Sequence, residues 1–338
     1  MKCVLFTDLH LGKHSNSSVF NQECLDFMDF MSEWCEQNIH EDYEVYFLGD
    51  WYNDRNSINV KTLKYGEEAL VKLSNMGSMQ CMLLGNHDLF YKNSRDVTSV
   101  IIPKDADGIE VISEPIYLED KSILLCPWLL DDESLKDLIN EHNPKYVFGH
   151  FELPSFKLNQ KIMMPGEFNP WDYTGPDKIF SGHYHCFSEK ANIIYIGNCF
   201  SHDFSDSNDW NNKGFIVLDT DTGEYTRVVW DKAPKYLVTQ TSDLSNTPLV
   251  NNLHLRIINN SDFDEEQIAK LRQGLESDEN IVECQILPKE LNLDGDIESI
   301  EMNDIGNMNT IIPEMLGKVD MENIDSSKLI NIYNSLEV

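Results

Sequence analysis

Short apolar runs that each end in glycine or a polar side chain constrain the fold of this chain more than any other feature. In the first 150 residues these runs alternate with segments in which apolar residues recur every three or four positions. That alternation is typical of an α/β fold whose functional loops leave the carboxyl ends of the strands. The strand-length runs lie at 2–6, 44–49, 79–85, 123–128 and 146–149, and the helical patterns lie at 19–35, 57–76 and 133–142, with Ser18 as the predicted N-cap of the first helix.

Further strand patterns follow one another closely between residues 178 and 230. They lie at 178–182, 192–197, 214–219 and 225–230. The last two are joined by Thr220–Gly223, whose residue types favour a hairpin turn. We expect these strands to form a second sheet packed on the first, which makes the predicted fold a layered α/β sandwich.

The chain beyond residue 234 is predicted to be organised separately from this core. It becomes polar from 234 to 248, as an interdomain linker does, and then shows a strand–helix–strand pattern. An acidic stretch with little periodicity follows, which is typical of a flexible tether, and apolar stripes at helical spacing return in the tail. The predicted domains are a core at 1–234, a small α+β capping domain at 235–288, an acidic linker at 289–309 and a helical tail at 310–338.

Composition excludes several classes of protein. The net charge of −32 argues against a protein that grips nucleic acid through a broad basic face of its own, although a nucleic-acid enzyme whose positive charge is bound metal stays compatible with it. No segment approaches the roughly 18 uninterrupted apolar residues of a membrane span, and the N-terminus has no signal-peptide core. Because the eight cysteines include no C-x-x-C pair, we expect reduced thiols in a cytoplasmic protein.

Five short motifs at the predicted strand ends carry residues that bind metals. Carboxylate, amide and imidazole donors together suit manganese, iron or zinc, whereas a magnesium or calcium site would use oxygens alone. The glycines that precede the donors allow the sharp turns that direct a side chain over the sheet edge. The motifs are Asp8-Leu9-His10, Gly49-Asp50, Gly85-Asn86-His87-Asp88, Gly149-His150 and Gly182-His183-Tyr184-His185.

These donors are too many for one ion and suit two ions that share a ligand. In such sites the ions lie roughly 3.5–4 Å apart and activate a hydroxide that attacks phosphorus. A carboxylate can bridge two ions, so Asp50 is the predicted bridge. His87 follows Asn86 directly and is free to donate a proton to the departing alkoxide or to stabilise the transition state.

The ordered motifs D-x-H, G-D, G-N-H-D, G-H and G-H-x-H resemble those of the calcineurin-like metallophosphoesterase superfamily. Within it, the chain is similar to the SbcD-type nucleases of double-strand-break repair, including the recombination endonuclease subunits of T-even-like phages. Supporting matches are GNHDLFYKN at 85–93, CPW at 126–128, GHFEL at 149–153 and YIGN at 195–198. The resemblance implies an α-β-β-α sandwich of two packed sheets, with a small α+β capping domain and a C-terminal helical tail.

The resemblance also implies roles for individual residues. His87 corresponds to the catalytic histidine that binds no metal. The chain departs from the family at Asn53, where a histidine or aspartate is usual, so Asn53 and Asp54 are candidates for orienting His87. Arg55 and Lys92 are basic residues of the loops after the motifs and are candidates for contacting the substrate phosphates; ordinary solvated side chains are the equal alternative. The implied ligands are Asp8, His10, Asp50 and His185 for one metal, and Asp50, Asn86, His150 and His183 for the other.

The function implied by the resemblance is that of a manganese-dependent DNA exonuclease and endonuclease, with magnesium, iron and zinc as alternative metals. The expected substrates are duplex ends and single strands. The expected partners are a second copy of the chain, for which the helix at 19–35 is a candidate surface, and an SbcC-type coiled-coil ATPase that binds the tail at 310–338. A phage-encoded chain would act in the cytoplasm of its bacterial host.

Two other functions stay open, and some residues are left without a role. A phosphatase or cyclic-nucleotide phosphodiesterase would use the same ligands, and a non-catalytic scaffold would use the same fold. Trp51 and Tyr52 are interpreted as packing beneath the site rather than stacking on bases. The histidines outside the motifs, His202 among them, receive no function.

Overall fold

The computed structural model describes residues 1–131, 133–157, 163–261 and 263–288. The helices are α1 (Lys13–Asn16), α2 (Ser18–Asn38), α3 (Val60–Ser74), α4 (Leu135–His142) and α5 (Glu265–Glu276). The strands are β1 (Lys2–Phe6), β2 (Tyr43–Phe47), β3 (Met79–Leu83), β4 (Leu89–Tyr91), β5 (Ser94–Thr98), β6 (Ile109–Ile112), β7 (Ile116–Leu118), β8 (Ile123–Cys126), β9 (Tyr146–His150), β10 (Lys178–Gly182), β11 (Ser188–Lys190), β12 (Ile193–Tyr195), β13 (Phe215–Asp219), β14 (Tyr225–Val228), β15 (Lys235–Gln240), β16 (Leu253–Asn259) and β17 (Ile281–Pro288).

Two six-stranded sheets form the core. The first has the order β14-β13-β1-β2-β3-β6, and the second has the order β11-β12-β10-β9-β8-β7. Strands β1, β2, β3 and β6 run parallel to one another, as do β8, β9, β10 and β12. The parallel strands of each sheet therefore end at a common edge, where the loops with the polar motifs begin.

The predicted assignment of strands to the two sheets is wrong in two places. Strands β8 and β9 belong to the second sheet, because β9 pairs with β10. The hairpin of β13 and β14 belongs to the first sheet, where Ile216 lies opposite Leu5 of β1. Apolar periodicity identifies a strand, but the partner of a strand is selected by side chains that lie far away in the sequence.

The layers are held together by alternate residues of the strands. One face of each sheet buries residues such as Leu5 and Phe148 in a cluster between the sheets. The other face of the first sheet packs against α2 and α3, and the other face of the second sheet packs against α4. The predicted α-β-β-α sandwich is confirmed.

Helix ends differ from the predicted ones by a few residues. Helix α2 is capped by Ser17 rather than Ser18, because the Ser17 hydroxyl accepts a hydrogen bond from the Phe20 amide. Helix α3 begins after Asn59, whose side chain accepts from the Lys61 amide. Residues 57–59, predicted to be helical, therefore precede the first turn of this helix.

The polar segment at 234–248 is only partly a linker. Its first part forms β15, which pairs in parallel with β16, so that Lys235 lies opposite Leu253. Strands β15, β16 and β17 form a separate three-stranded sheet, with a small cluster around Leu237 and Leu255. The predicted acidic linker and helical tail lie outside the described residues.

The cysteines and the apolar content of the helices relate to the expectations from composition. All eight cysteines are free thiols, and seven of them are buried. In the described part of the chain, no helix is both long and apolar enough to cross a bilayer.

A buried ion pair fixes the loop between β12 and β13. The ammonium of Lys213 lies 3.0 Å from Asp206 and 3.1 Å from Asp209, and all three side chains are almost fully buried. The same ammonium donates to the main-chain oxygen of His185 at 2.6 Å. The loop is therefore attached to the segment that follows β10.

We expect Lys213→Ala to lower the free energy of unfolding by about 3–5 kcal/mol, because it leaves two buried carboxylates without their cation. Urea denaturation measures the change. The control is Lys72→Ala, which removes an exposed ion pair with Asp29 and should cost at most about 1 kcal/mol. Equal losses in the two variants would contradict a structural role for the buried pair.

Candidate metal centre

The donors predicted from the sequence come together at the common edge of the two sheets. Asp8 and His10 follow β1, and Asp50 follows β2. Asn86 follows β3, and His150 ends β9. His183 and His185 follow β10. The donors originate in strands of both sheets, so the site depends on how the sheets pack.

Four donor atoms form what we call the first donor group. They are Oδ1 of Asp8, Nε2 of His10, Oδ2 of Asp50 and Nε2 of His185. From Nε2 of His10, the other three atoms lie at 3.7, 3.6 and 3.2 Å, respectively. Ligands about 2.0–2.2 Å from one cation have separations of this order.

Four further atoms form the second donor group. They are Oδ2 of Asp50, Oδ1 of Asn86, Nε2 of His150 and Nδ1 of His183. Nε2 of His150 lies 3.4 Å from the Asp50 oxygen and 3.1 Å from the Asn86 oxygen, and the latter lies 3.1 Å from His183. Oδ2 of Asp50 thus belongs to both groups, as the bridging atom of a two-metal site does.

An unpartnered carboxylate oxygen supports the fit of a cation. Oδ1 of Asp8 is buried and has no hydrogen-bond partner, whereas its other oxygen accepts from the His183 amide at 3.1 Å. Buried polar atoms without partners are rare in folded proteins, and a bound cation satisfies such an oxygen. The mixed oxygen and nitrogen donors fit a divalent transition metal.

Four of these residues have strained backbones. The φ angles of Asp8, His10, Asp50 and His183 are 53°, 50°, 65° and 84°. Such conformations cost roughly 1–3 kcal/mol each and occur mainly where the surrounding structure enforces them. Here the Asp8 amide donates to the Gly49 carbonyl at 3.0 Å, and the His10 amide donates to the Asp50 carbonyl at 3.1 Å. Strain of this kind is common at functional sites, and the sequence alone did not predict it.

Asp88 fixes the two loops that carry Asp50 and Asn86. Its carboxylate accepts from the amides of Asp50 at 2.9 Å, Gly85 at 2.8 Å and Trp51 at 3.0 Å. Burial, together with the neighbouring Asp50, raises the pKa of Asp88 to about 6. No separate role is predicted for Asp88 from the sequence; its place at the end of the G-N-H-D motif is the available signal.

Gly85 is required by the close approach of these loops. A Cβ atom at Gly85 would lie 2.2 Å from Oδ1 of Asp50 and 2.5 Å from its amide nitrogen. No side chain fits in that space, so the glycine allows Asp50 and Asn86 to share one site.

His87 is oriented by a main-chain carbonyl. Its Nδ1 lies 2.7 Å from the Asn53 oxygen, and its amide donates to Oδ1 of Asp50 at 2.8 Å. Asp54, considered as an orienting residue, instead accepts from the Asn53 side chain at 3.0 Å. The backbone therefore makes the contact for which a side chain was expected.

The surroundings of His87 keep its ring neutral. Burial lowers the pKa of His87 to about 4, and the neighbouring His10 acts in the same direction. Because Nδ1 faces a carbonyl, the neutral ring carries its proton there. Nε2 then carries the lone pair of the ring.

The other residues considered for contacts with the substrate differ in how exposed their side chains are. Arg55 is half-buried, its Nε has no partner, and burial lowers its pKa. Lys92 is exposed. Trp51 and Tyr52 are 0% and 2% exposed, which confirms that they pack in the core.

His202 lies against the first donor group, although no function is predicted for it from the sequence. Its ring centroid is 5.6 Å from that of His10 and 5.3 Å from that of His185. The side chain is fully buried, and neither ring nitrogen has a hydrogen-bond partner. His202 lies outside every motif, so only the folded chain reveals its position.

Comparisons with known proteins cover the residues that form this site. The model of the family described as calcineurin-like phosphoesterase matches residues 1–187. Exonuclease subunit 1 of Enterobacteria phage T4 is 25% identical over 352 aligned residues, which cover 100% of this chain and 99% of that protein. Among solved structures, the calcineurin-like phosphoesterase YfkN from Bacillus subtilis aligns with 68% of this chain and 88% of its own, at 13% identity and a TM-score of 0.31.

We expect Asp88→Asn to weaken manganese binding by about 10–100-fold, because an amide group cannot accept all three main-chain hydrogen bonds and the loops lose their alignment. Titration calorimetry of the metal-free protein with Mn²⁺ measures the affinity. Asp96→Asn, at an exposed position on β5, is the control. Unchanged affinity in Asp88→Asn would show that the carboxylate is not needed to align the donors.

Proposed function

This chain belongs to the calcineurin-like phosphoesterase family, and on that premise we propose that it hydrolyses phosphodiester bonds in DNA with two divalent cations. The observation that carries the proposal is Oδ2 of Asp50, which lies within 3.6 Å of a donor in each group. A single carboxylate oxygen at that position can link two ions that act on one phosphate.

We assign one ion to each donor group. Manganese is the proposed metal; the two carboxylates and the amide supply oxygen donors and the four imidazoles supply nitrogen donors, a mixed set that suits a divalent transition metal. When bound, the two cations would offset negative charge on the phosphoryl oxygens and lower the pKa of a water molecule. Magnesium, iron and zinc are the alternatives that a metal-exchange assay would distinguish.

His87 is the proposed proton donor to the leaving alkoxide. Its ring is neutral in the free protein, so it must gain a proton before it can donate one. An anionic phosphodiester beside Nε2 favours the charged ring and opposes the effect of burial on its pKa. The Asn53 carbonyl, which accepts from Nδ1, stabilises the protonated ring as well and holds it in place.

DNA is the proposed substrate. Support comes from the relative in phage T4, whose name is exonuclease subunit 1 and which aligns along its whole length. The net charge of −32 is compatible with such a substrate if bound cations supply local positive charge and a partner makes most of the contacts with DNA. Duplex ends and single strands are the proposed forms.

The partner we propose is an SbcC-type coiled-coil ATPase, bound by the tail at 310–338. The apolar residues of the tail recur at the spacing with which an amphipathic helix enters a groove. The word subunit in the name of the T4 relative is compatible with such an assembly. A homodimer that carries two ATPase chains in the host cytoplasm completes the proposal.

We expect His87→Ala to retain two metal ions per chain and to cleave DNA about 10²–10⁴-fold more slowly, because the leaving alkoxide loses its proton donor. Nuclease rates in Mn²⁺, with metal content from mass spectrometry, test this. The exposed His40→Ala is the control. Near-normal cleavage by a fully loaded His87→Ala protein would refute the assignment.

A parallel assay tests the substrate class. Wild-type protein is given linear duplex DNA, single-stranded DNA and a small aryl phosphodiester under the same conditions. Preference for either DNA supports the proposal. Hydrolysis of the aryl ester alone would favour a phosphatase or small-molecule phosphodiesterase, and inactivity on all three would favour a scaffold.

Removal of residues 310–338 should leave manganese-dependent cleavage of simple DNA substrates intact and abolish co-purification with the ATPase. A finer test places aspartate at the apolar positions Leu329 and Ile332, with aspartate at the polar positions Asn331 and Asn334 as the matched control. Complex formation by the Leu329 and Ile332 variant would refute docking through the apolar stripe.

A further inference from the structure

A cavity of about 420 Å³ opens beside the second donor group. Its volume lies within the range of roughly 300–1,000 Å³ that is usual for small-molecule sites. Polar and apolar side chains share its walls. They include Trp128, Leu130, Ser134, Phe151 and Leu153, together with the donor His150.

Trp128 connects the cavity to the donors. Its ring centroid lies 5.0 Å from that of His183 and 6.0 Å from that of His150. The side chain is partly exposed, so its indole is accessible from the cavity. An aromatic surface thus lies next to the position proposed for the reacting phosphate.

The backbone of Trp128 is held at both ends of the residue. Its amide donates to the Leu84 carbonyl at 2.7 Å, and its carbonyl accepts from Nη2 of Arg95 at 2.6 Å. Arg95 also binds both carboxylate oxygens of Glu133, at 2.9 and 2.5 Å. With its backbone held, Trp128 has only its two side-chain torsions left to order when a planar group stacks on the ring.

The charges around the cavity disfavour an anion. Glu133 is neutralised by Arg95, and Lys136 lies 2.6 Å from Asp172. Among the described residues on the wall, Lys136 is the only lysine or arginine, while Asp131 and Glu152 add exposed carboxylates. A phosphate would be repelled here, whereas a neutral planar ring would not.

We propose that this cavity binds one unpaired nucleobase of the strand being cut, stacked on Trp128, next to the cleaved phosphodiester. The proposal rests on the proposed nuclease function and adds a subsite to it. A base can enter only after it leaves its pair, so cleavage at this site requires a frayed, flipped or single-stranded nucleotide.

The test compares cleavage of single-stranded oligonucleotides that carry one abasic nucleotide. The abasic position is placed directly beside a chosen bond, on either side of it, or several nucleotides away. The rate at the chosen bond is measured in Mn²⁺ for wild-type protein and for the variants Trp128→Ala, Trp128→Phe and Trp171→Ala. Trp171 is 78% exposed and is the matched control for loss of an indole.

Stacking of a base on an aromatic ring strengthens the binding of a single strand by roughly fivefold or more. We therefore expect the adjacent abasic nucleotide to slow wild-type cleavage by at least about fivefold, and the distant one to have no effect. The ratio of the cleavage rate with an intact nucleotide to the rate with an adjacent abasic nucleotide should fall to near one in Trp128→Ala. It should be intermediate in Trp128→Phe and unchanged in Trp171→Ala. Each ratio is taken within one variant, so it does not depend on how well that variant folds.

Two results would overturn the subsite while leaving the nuclease in place. One is a wild-type cleavage rate that the adjacent abasic nucleotide leaves unchanged. The other is a ratio of rates in Trp128→Ala that equals the ratio in wild-type protein. Failure of wild-type protein to cleave any oligonucleotide would instead refute the proposed function, on which the subsite depends.

Discussion

The carboxylate of Asp50 is the interaction on which the site depends. One of its oxygens accepts from the His87 amide, and the other faces donors of both groups. Its own amide is fixed by Asp88. Strand β2, from which Asp50 follows, lies between β1 and β3, so the residue occupies the middle of the sheet edge. A displaced Asp50 would separate the two donor groups and release the histidine.

Electrostatics explains why the site is suited to cations. Burial disfavours a charged ring at His150, yet the carboxylates of Asp50 and Asp8 outweigh it and raise the pKa of His150 to about 9. Burial lowers the pKa of His185 to about 3, with His10 adding to the effect. Without metal, a proton on His150 balances buried negative charge. A metal ion would take its place, because ligand histidines must be neutral.

Much of this organisation follows from residue types and their order. The apolar run at 2–6 forms β1 as predicted, and the motifs after β1, β2, β3, β9 and β10 lie at strand ends. The hairpin turn at Thr220–Gly223 forms between β13 and β14. These features depend on local patterns, such as strand-length apolar runs followed by glycine, whose physical meaning does not depend on distant residues.

The pairing of strands across the chain and the contacts between distant residues depend on the tertiary structure. Local sequence patterns are enough to place candidate metal ligands at strand ends, but only the packing of the folded chain puts β8 and β9 in the second sheet and turns Trp128 towards the donors. His202 belongs to no motif and lies next to His10 because it is carried by the loop after β12, which Lys213 attaches to the segment that follows β10. A local pattern determines local structure, whereas contacts between residues nearly two hundred positions apart depend on which surfaces exclude water together.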